Sequence, residues 1–261
     1  MSQLLEQDEP RTAEAPAWDD GRLANPHAEP DKARRVARMF AAIAPSYDLN
    51  NRVHSFGRDQ AWRRTAVRTA GLTGGETVLD VACGTGDLAM AFADAGAARV
   101  IGVDFTLPML THAQRKKTAG SGIAYSGGDA LRLPVADASV DVVSIAFGIR
   151  NVTDAPAALR EFRRVLRPGG RLIVLEFTVP ANPLVRLGHD FYCGWVMPRT
   201  ATLISGDRSG AYRYLPRSVS TFTGKAALIA AIEDTGFGDV SAKSLTFGIA
   251  ACYRGVKPLA A

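Results

Sequence analysis

The stretch VLDVACGTGDLAM, from Val78 to Met90, joins an apolar run to a turn of small residues and to the start of a helix. Its centre, Gly84 to Ala89, matches the G-x-G-x-x-G/A pattern of dinucleotide-binding proteins. Glycines permit a sharp turn and a close approach of the backbone to a ligand, while the first N–H groups of the helix point at it. The stretch therefore predicts a nucleotide site, although a purely structural turn satisfies the same pattern.

Strand and helix patterns alternate after this turn. The apolar runs TVLDVAC, RVIGVD, VDVVSIAF and RLIVLEF are separated by segments with helical spacing. Continuous β-branched runs that alternate with helices are typical of a parallel sheet covered on both faces. Two later patterns, DVSAKSLTF and IAACYRGV, are close enough to form an antiparallel pair. We expect an α/β fold with a seven-stranded, mostly parallel sheet, one antiparallel strand (the last), and helices on both faces.

The remaining segments suggest how the chain is divided. Residues 1–30 are rich in Glu, Asp, Pro and Ala without apolar periodicity, which predicts a disordered extension before one domain over 31–261. Within that domain, 31–72 is expected to be a helical cap, with one helix ending before Pro45 and another over about Gln60 to Ala70. In residues 180–220, strand and helix patterns no longer alternate, and we expect a lid-like insertion. Their amphipathic part, Leu184 to Trp195, either covers the edge of the sheet or forms a lid.

Composition excludes several classes of function. The chain has 261 residues, 47% hydrophobic and 22% charged, which is typical of a globular protein. Three distant cysteines and four scattered histidines argue against a disulfide framework and against a metal site. The net charge of +5 comes with only short basic runs such as RRT and QRKK, typical of a solvated face, so we expect no nucleic-acid partner.

The sequence also bears on location. We find no signal-peptide pattern and no apolar run long enough to span a bilayer, which predicts a cytoplasmic protein. A peripheral contact with the inner face of the membrane and a homodimer are both left open.

Acidic residues at the ends of strands indicate which nucleotide is bound. Asp104 ends the second strand about 20 residues after the glycines, where a carboxylate can accept both hydroxyls of a ribose. NAD and S-adenosylmethionine (SAM) both carry such a ribose. Asp80 precedes the turn, where it suits the cationic amino-acid end of SAM better than a pyrophosphate. Asp129 ends the third strand, within reach of an adenine amino group. SAM is therefore favoured.

Four motifs in this order, LDVACGTGD, GVDF, GDALRLP and LRPGGRL, resemble those of class I SAM-dependent methyltransferases, whose fold is Rossmann-like. Ala82 departs from that pattern, which usually has a glycine there. The resemblance implies a set of SAM-binding residues: Asp80, Gly84, Thr85, Gly86, Asp104, Phe105, Asp129, Ala130 and Ala146.

Two further stretches narrow the resemblance. YDLNNRVHSFGRDQAW, and FGIRNVTD followed by RVLRPGGRLIVLEFT, are similar to the signatures of the ubiquinone/menaquinone biosynthesis C-methyltransferases. The similarity runs from about Asp31 to the C-terminus. Departures are Asn50 for methionine, His54 for an aliphatic residue, Asp59 for histidine and Thr178 for serine.

This resemblance implies SAM-dependent C-methylation of a polyprenyl quinol in menaquinone or ubiquinone synthesis. The reaction needs alignment, a proton acceptor and a site that excludes water. Arg150 and Asn151 follow the fourth strand, and the resemblance implies that they contact the quinol or a water that takes its proton. Arg150 would stabilise the oxyanion. Tyr47 is expected at the same pocket. The alternatives are methylation of another small molecule or lipid, and a non-catalytic SAM-binding module.

Overall fold

A seven-stranded sheet forms the centre of the computed structural model, which describes residues 16–259. Its strands, in chain order, are β1 (Thr77–Val81), β2 (Arg99–Asp104), β3 (Ile123–Gly127), β4 (Val140–Ala146), β5 (Leu166–Phe177), β6 (Gly238–Leu245) and β7 (Ala250–Val256).

The strand order is β3-β2-β1-β4-β5-β7-β6. Pairs from β3 to β5 are parallel, whereas β7 is antiparallel to both of its neighbours. From β1 the chain adds β2 and then β3 toward one edge of the sheet. It then crosses back, and β4 lies on the other side of β1. The order therefore reverses between β1 and β4, and the crevice beyond their carboxyl ends is where such sheets bind ligands. The predicted sheet, with its last strand antiparallel, is confirmed.

Helices cover both faces of the sheet. They are α1 (Lys32–Ile43), α2 (Tyr47–His54), α3 (Arg58–Ala70), α4 (Asp87–Asp94), α5 (Leu107–Lys116), α6 (Ala155–Val165), α7 (Pro183–Phe191), α8 (Met197–Ser205), α9 (Ala211–Ser220) and α10 (Lys225–Asp234). A π-helical turn, Tyr192–Val196, joins α7 to α8.

The two faces of the central strands form separate cores. On β1, Val78 packs with α3 and α4, whereas its neighbour Leu79 packs with α6 and α10. Both side chains are fully buried. Successive side chains of a strand point to opposite faces, so a strand covered on both sides must be apolar throughout. This is why the continuous apolar runs predicted the layers correctly.

The N-terminal part differs from the prediction in two ways. Helix α1 ends at Ile43 and α3 matches the second predicted helix, but α2 lies between them, where no helix was predicted. Residues 16–30 are not a disordered extension. Trp18 is 1% exposed and stacks on Tyr214 with ring centroids 4.4 Å apart. One buried indole anchors a segment that lacks apolar periodicity. Residues 1–15 lie outside the described part of the chain.

The segment predicted at 180–220 consists of α7, the π-helical turn, α8 and α9. Its apolar face does not cover the edge of the sheet, because Leu184 is 81% exposed and Trp195 is 54% exposed. Within residues 16–259, no helix combines the length and apolar content that a membrane crossing requires.

Candidate active site

A cavity that is open to solvent lies at the carboxyl ends of β1 and β4. A smaller recess adjoins it at the glycine turn, with Asp80 and Thr85 in its wall. Of the expected site residues, Gly86 and Arg150 line neither space. The others line the main cavity: Tyr47, Gly84, Asp104, Phe105, Asp129, Ala130, Ala146 and Asn151.

The turn after β1 uses left-handed backbone conformations. Gly84 has φ +55°, and a Cβ built on it meets nothing within 4 Å. A ligand can therefore approach this backbone closely. Gly86 has φ +84°, but a Cβ there would collide with the ring of Tyr125, so this glycine lets the turn pack against β3. Ala82 adopts φ +51°, a strained conformation at the position where the resembling methyltransferases have glycine.

Asp104 connects the turn to β2. Its Oδ2 accepts the N–H of Gly84 at 2.9 Å, and its Oδ1 accepts the N–H of Thr106 at 2.8 Å. Burial raises the pKa of this carboxyl group. A carboxylate has about four acceptor sites, so both oxygens retain capacity toward the cavity, as two ribose hydroxyls would require. Asp129 is held similarly, since its Oδ1 accepts the N–H of Leu131 at 2.9 Å.

Asp80 has a bare oxygen in the protein interior. It is 1% exposed, and Ser144 Oγ donates to its Oδ1 at 2.7 Å. Its Oδ2 is buried without a hydrogen-bond partner in the described part of the chain. Burial raises the pKa of Asp80 to about 7. An unsatisfied buried carboxylate oxygen is costly, so this position favours a cationic ligand group.

The structure does not bring the Arg150 side chain to the cavity. The residue is 3% exposed, and its Nη1 donates to Glu176 Oε1 at 2.7 Å and to the carbonyl of Phe147 at 2.6 Å. Its Nε donates to Ser218 Oγ at 3.2 Å. In this structure the side chain that was predicted to contact the quinol oxyanion forms a buried ion pair with Glu176, and its contacts hold the loop that follows β4.

Asn151 and Tyr47 do reach the cavity. Asn151 Nδ2 donates to the carbonyl of Phe147 at 3.2 Å, and Asn151 Oδ1 accepts the Tyr214 hydroxyl at 2.8 Å. Both polar atoms of Asn151 are thus engaged in holding the loop. Tyr47 lines the cavity and the recess, and burial raises the pKa of its phenol.

The sequence interpretation missed two basic residues. The runs RRT and QRKK were expected to lie on a solvated face, yet Arg63 is 7% exposed and lines the recess. Lys116 Nζ donates to Asp48 Oδ2 at 2.6 Å and to Asp87 Oδ1 at 2.5 Å. The sequence does not show that either residue leaves the solvated surface. The partners of Lys116 lie on or beside other helices, and Arg63 pairs with Asp59 on its own helix α3 but lies in the buried wall. Among residues 16–259, no cluster of His, Cys, Asp and Glu is arranged to hold a metal.

Comparison with known proteins decides the family. The model of the ubiE/COQ5 methyltransferase family matches residues 29–257. The chain belongs to the ubiE/COQ5 methyltransferase family.

Relatives of this ubiE/COQ5 protein match most of its length. A demethylmenaquinone methyltransferase of Thermus thermophilus is 48% identical over 222 residues, covering 84% of this chain and 100% of the relative. One from Deinococcus radiodurans is 46% identical, covering 87% and 94%. A ubiquinone/menaquinone biosynthesis C-methyltransferase UbiE of Syntrophotalea carbinolica is 45% identical, covering 85% and 93%.

Solved structures support the fold of the ubiE/COQ5 chain. The [4+2]-cyclase SpnF has a TM-score of 0.66 at 18% identity and covers 87% of this chain and 97% of its own. A SAM-dependent methyltransferase from Thermotoga maritima, titled a possible histamine N-methyltransferase, has a TM-score of 0.59 at 21% identity and covers 84% and 98%. At such identities the likeness shows the fold alone, and fold does not determine activity.

Family membership confirms the predicted enzyme class, a SAM-dependent methyltransferase, and SAM as its methyl donor. The residues present fit this ligand. The open space above Gly84 admits a close ligand, and Asp104 retains acceptor capacity for a ribose. The bare Oδ2 of Asp80 suits the ammonium group of the methionine part.

Proposed function

We propose that this enzyme transfers the methyl group of SAM to a ring carbon of a prenylated quinol, converting demethylmenaquinol to menaquinol or methylating a ubiquinone precursor. One observation carries the proposal. Residues of the FGIRNVTD signature, Phe147, Gly148 and Asn151, line the same cavity as Gly84 of the glycine turn. The stretch that resembles quinol methyltransferases thus adjoins the turn at which we propose that the methyl donor binds. The names of the relatives support the same substrate class.

The walls of the cavity suit an aromatic ring. Apolar side chains from α1 and α5, Val36, Phe40 and Met109, face the same space as Phe147. Apolar walls of this kind bury most of a flat ligand and leave orientation to a few polar groups. They also keep water away from the reacting atoms. The ring would lie between the cap helix α1 and the loop after β4.

The chain's own groups then orient the reaction. The bound SAM supplies an electrophilic methyl carbon on a sulfonium. A ring carbon beside a hydroxyl would form the new C–C bond as the C–S bond breaks and S-adenosylhomocysteine leaves, while the hydroxyl proton passes to water or a base. The hydrogen on the methylated ring carbon is then lost and the oxygen is reprotonated, which restores the aromatic quinol. Because burial raises the pKa of Tyr47, its phenol stays protonated and can donate a hydrogen bond to the developing oxyanion. Arg150 acts indirectly by holding the Phe147 carbonyl.

A peripheral membrane contact belongs to the same proposal, because a polyprenyl quinol resides in a bilayer. The exposed apolar face of α7 to α8 includes Leu184, Leu187, Phe191 and Trp195, and Arg199 lies over the Trp195 ring at 4.5 Å. Aromatic and aliphatic side chains beside arginines are typical of helices that lie in the headgroup region of a membrane.

The substrate assignment is tested by methyl transfer from methyl-labelled SAM. Short-chain demethylmenaquinol and ubiquinone precursors are offered under reducing conditions, beside a sterol and phosphatidylethanolamine. We expect label on a ring carbon of a quinol alone. Label on the sterol or the phospholipid would establish the alternative enzyme. SAM binding without transfer to any acceptor would establish a non-catalytic module.

A further inference from the structure

Residues 17–28, which we call the N-terminal strap, pack on the start of α9. The backbone N–H of Trp18 donates to the carbonyl of Ser209 at 3.1 Å. Gly210, which precedes α9, has φ +86°, and a Cβ on it would lie 2.5 Å from the carbonyl oxygen of Trp18. A residue with a side chain there would push the strap away. The strap precedes residues 29–257, which match the family model, and the proposed methyl transfer assigns it no role.

The strap is connected to the cavity first through an aromatic pair. Trp18 is buried and stacks on Tyr214 with ring centroids 4.4 Å apart. The hydroxyl of Tyr214 donates to Asn151 Oδ1 at 2.8 Å, and Asn151 lines the cavity. Because a closely packed ring has little freedom to move, the indole of Trp18 determines where this hydroxyl lies. The side chain of Asn151 is thus held from outside the loop that carries it.

The second connection runs through a buried ammonium group. Lys32 is 3% exposed at the start of α1. Its Nζ donates to the carbonyl oxygens of Arg150 and Val152, both at 2.8 Å, and to His27 Nδ1 at 3.2 Å. An ammonium group has three N–H donors, so these three acceptors satisfy it completely. The two carbonyls flank Asn151, and the backbone is therefore fixed before and after this residue.

His27 of the strap completes this network only in its neutral form. Because Lys32 donates to Nδ1, that nitrogen carries a lone pair, and the ring hydrogen is on Nε2, which donates to the carbonyl of Ser218 at 2.9 Å. Burial lowers the pKa of His27, and the positive charges of Lys32 and Arg150 lower it further. Among residues 16–259 these cations are the charged groups that act on the ring, whereas α9 contributes the Ser218 carbonyl. A protonated His27 would therefore oppose docking of the strap.

We propose that the N-terminal strap is a positioning segment for methyl transfer, in which Trp18 and His27 hold Asn151 in place and protonation of His27 lets the strap detach. Both connections end at the same residue, one at its side chain and one at the adjacent carbonyls. A displaced wall residue misaligns the acceptor with the methyl group, and small misalignments are costly in rate. The inference rests on the proposed function only in that this loop faces the acceptor.

The first test is Trp18→Ala in the full chain at about pH 8. Amide exchange over residues 147–152 should accelerate, and kcat with short-chain demethylmenaquinol should fall about tenfold. The connections of the strap do not reach the glycine turn or Asp104, so the Kd of SAM should change by less than about twofold. Unchanged exchange over 147–152, or an equal loss of SAM affinity, would overturn the proposal. If the wild type does not methylate the quinol, the substrate assignment fails, while the exchange measurement still decides the role of the strap.

The second test is a pH profile, which a purely structural contact would not change. Docking should be at full strength above the ordinary histidine pKa of about 6.5 and weaken as the pH falls below it. His27→Gln can accept from Lys32 and donate to Ser218 without titrating, so it should match the wild type at about pH 7.5. At about pH 5.5, we expect the wild type to turn over at least about threefold more slowly than this variant and to exchange faster over 147–152.

The comparison with His27→Gln isolates the strap, because every other titrating group is present in both proteins. His112→Gln is the matched control: His112 lies on α5 and lines neither the cavity nor the recess, so this variant should keep the wild-type profile. Should Trp18→Ala fail to fold, the two histidine variants decide the question alone. Identical profiles for the wild type and His27→Gln would overturn the proposal.

Discussion

At the scale of single residues, the buried charge of Arg150 is paired with the buried carboxylate of Glu176. The guanidinium and the Glu176 carboxylate are both almost fully buried, and their atoms lie 2.7 Å apart. Each charge is tolerable in the interior only because the other is present. The consequences of substitution should therefore appear in folding before they appear in chemistry.

Arg150→Ala is expected to lower the free energy of unfolding by about 3–5 kcal/mol, because it leaves the Glu176 carboxylate buried without its counter-charge. Chemical denaturation measures this loss. The double variant Arg150→Met, Glu176→Gln should recover part of it, since neither charge remains. A folded Arg150→Ala protein of normal stability that has lost turnover but not SAM affinity would contradict this role and restore the oxyanion contact.

Asp80 predicts a pH dependence of SAM binding. Its pKa of about 7 in the free protein reflects burial, whereas the ammonium group of SAM favours the charged carboxylate. Binding below about pH 7 must therefore release a proton, and affinity should fall about tenfold for each pH unit below that value. Calorimetry in two buffers of different ionisation heat detects the proton. Asp80→Asn should bind weakly, with no pH dependence in this range; an unchanged profile in that variant would exclude Asp80 as the source.

The same shift affects folding with the opposite sign. Because the folded pKa of Asp80 lies above the unfolded value near 4, its contribution to stability is fully present below about pH 4. That contribution is lost as the pH rises through about 7. SAM, by stabilising the charged form, should offset this loss.

Helix α2 is connected to the nucleotide site through one carboxylate. Asp48 accepts a hydrogen bond from Thr85 Oγ1 of the glycine turn at 2.5 Å and pairs with Lys116 of α5 at 2.6 Å. Lys116 also pairs with Asp87 at the start of α4. Helices α2, α4 and α5 thus meet at Lys116, and the glycine turn joins them through Asp48. Opening of the cap toward solvent would break these contacts together.

Lys116→Met is expected to loosen α2 while the sheet remains intact. Amide exchange over Tyr47–His54 should accelerate, and SAM should dissociate about fivefold faster, since partly exposed ion pairs contribute about 1 kcal/mol or less. Hydrogen exchange and stopped-flow binding measure the two effects. Arg115→Met, an exposed neighbour on α5, serves as the control. Unchanged exchange in α2 would show that packing alone holds the cap.

At the scale of the whole molecule, the exposed apolar face of α7 to α8 is the surface that we propose to contact the membrane. Phe191 and Trp195 stack with centroids 5.7 Å apart and are 62% and 54% exposed. We expect the protein to sediment with anionic vesicles. The double variant Phe191→Ser, Trp195→Ser should bind them at least about tenfold more weakly, because less apolar area enters the bilayer.

Leu259→Ser is the matched control for vesicle binding. Leu259 is 77% exposed, but it lies near Gly169 in the first part of β5, at the end of the strand away from the cavity. Its loss should leave vesicle binding unchanged. If the double variant instead changed the oligomeric state in the absence of vesicles, the face would be an interface between copies and the membrane contact would be wrong.

Local sequence determined the layers of this protein and the position of its nucleotide turn. A few neighbouring residues were enough to predict the buried strands, the glycine turn and the place of Asp104 at the end of a strand. Strand burial and backbone conformation are short-range properties. The family signature likewise located the FGIRNVTD loop at the cavity.

Only the tertiary structure showed which charges line the cavity and the recess and which are paired elsewhere. Arg150 turned out to be paired with Glu176, 26 residues away on β5, and Arg63 and Lys116 were buried or partnered despite lying in ordinary basic runs. Residues 16–30 pack against the domain because Trp18 stacks on Tyr214, which lies far along the chain. The energy of a charge or an isolated aromatic depends on solvent exclusion and on partners brought together by folding, and no local pattern encodes either.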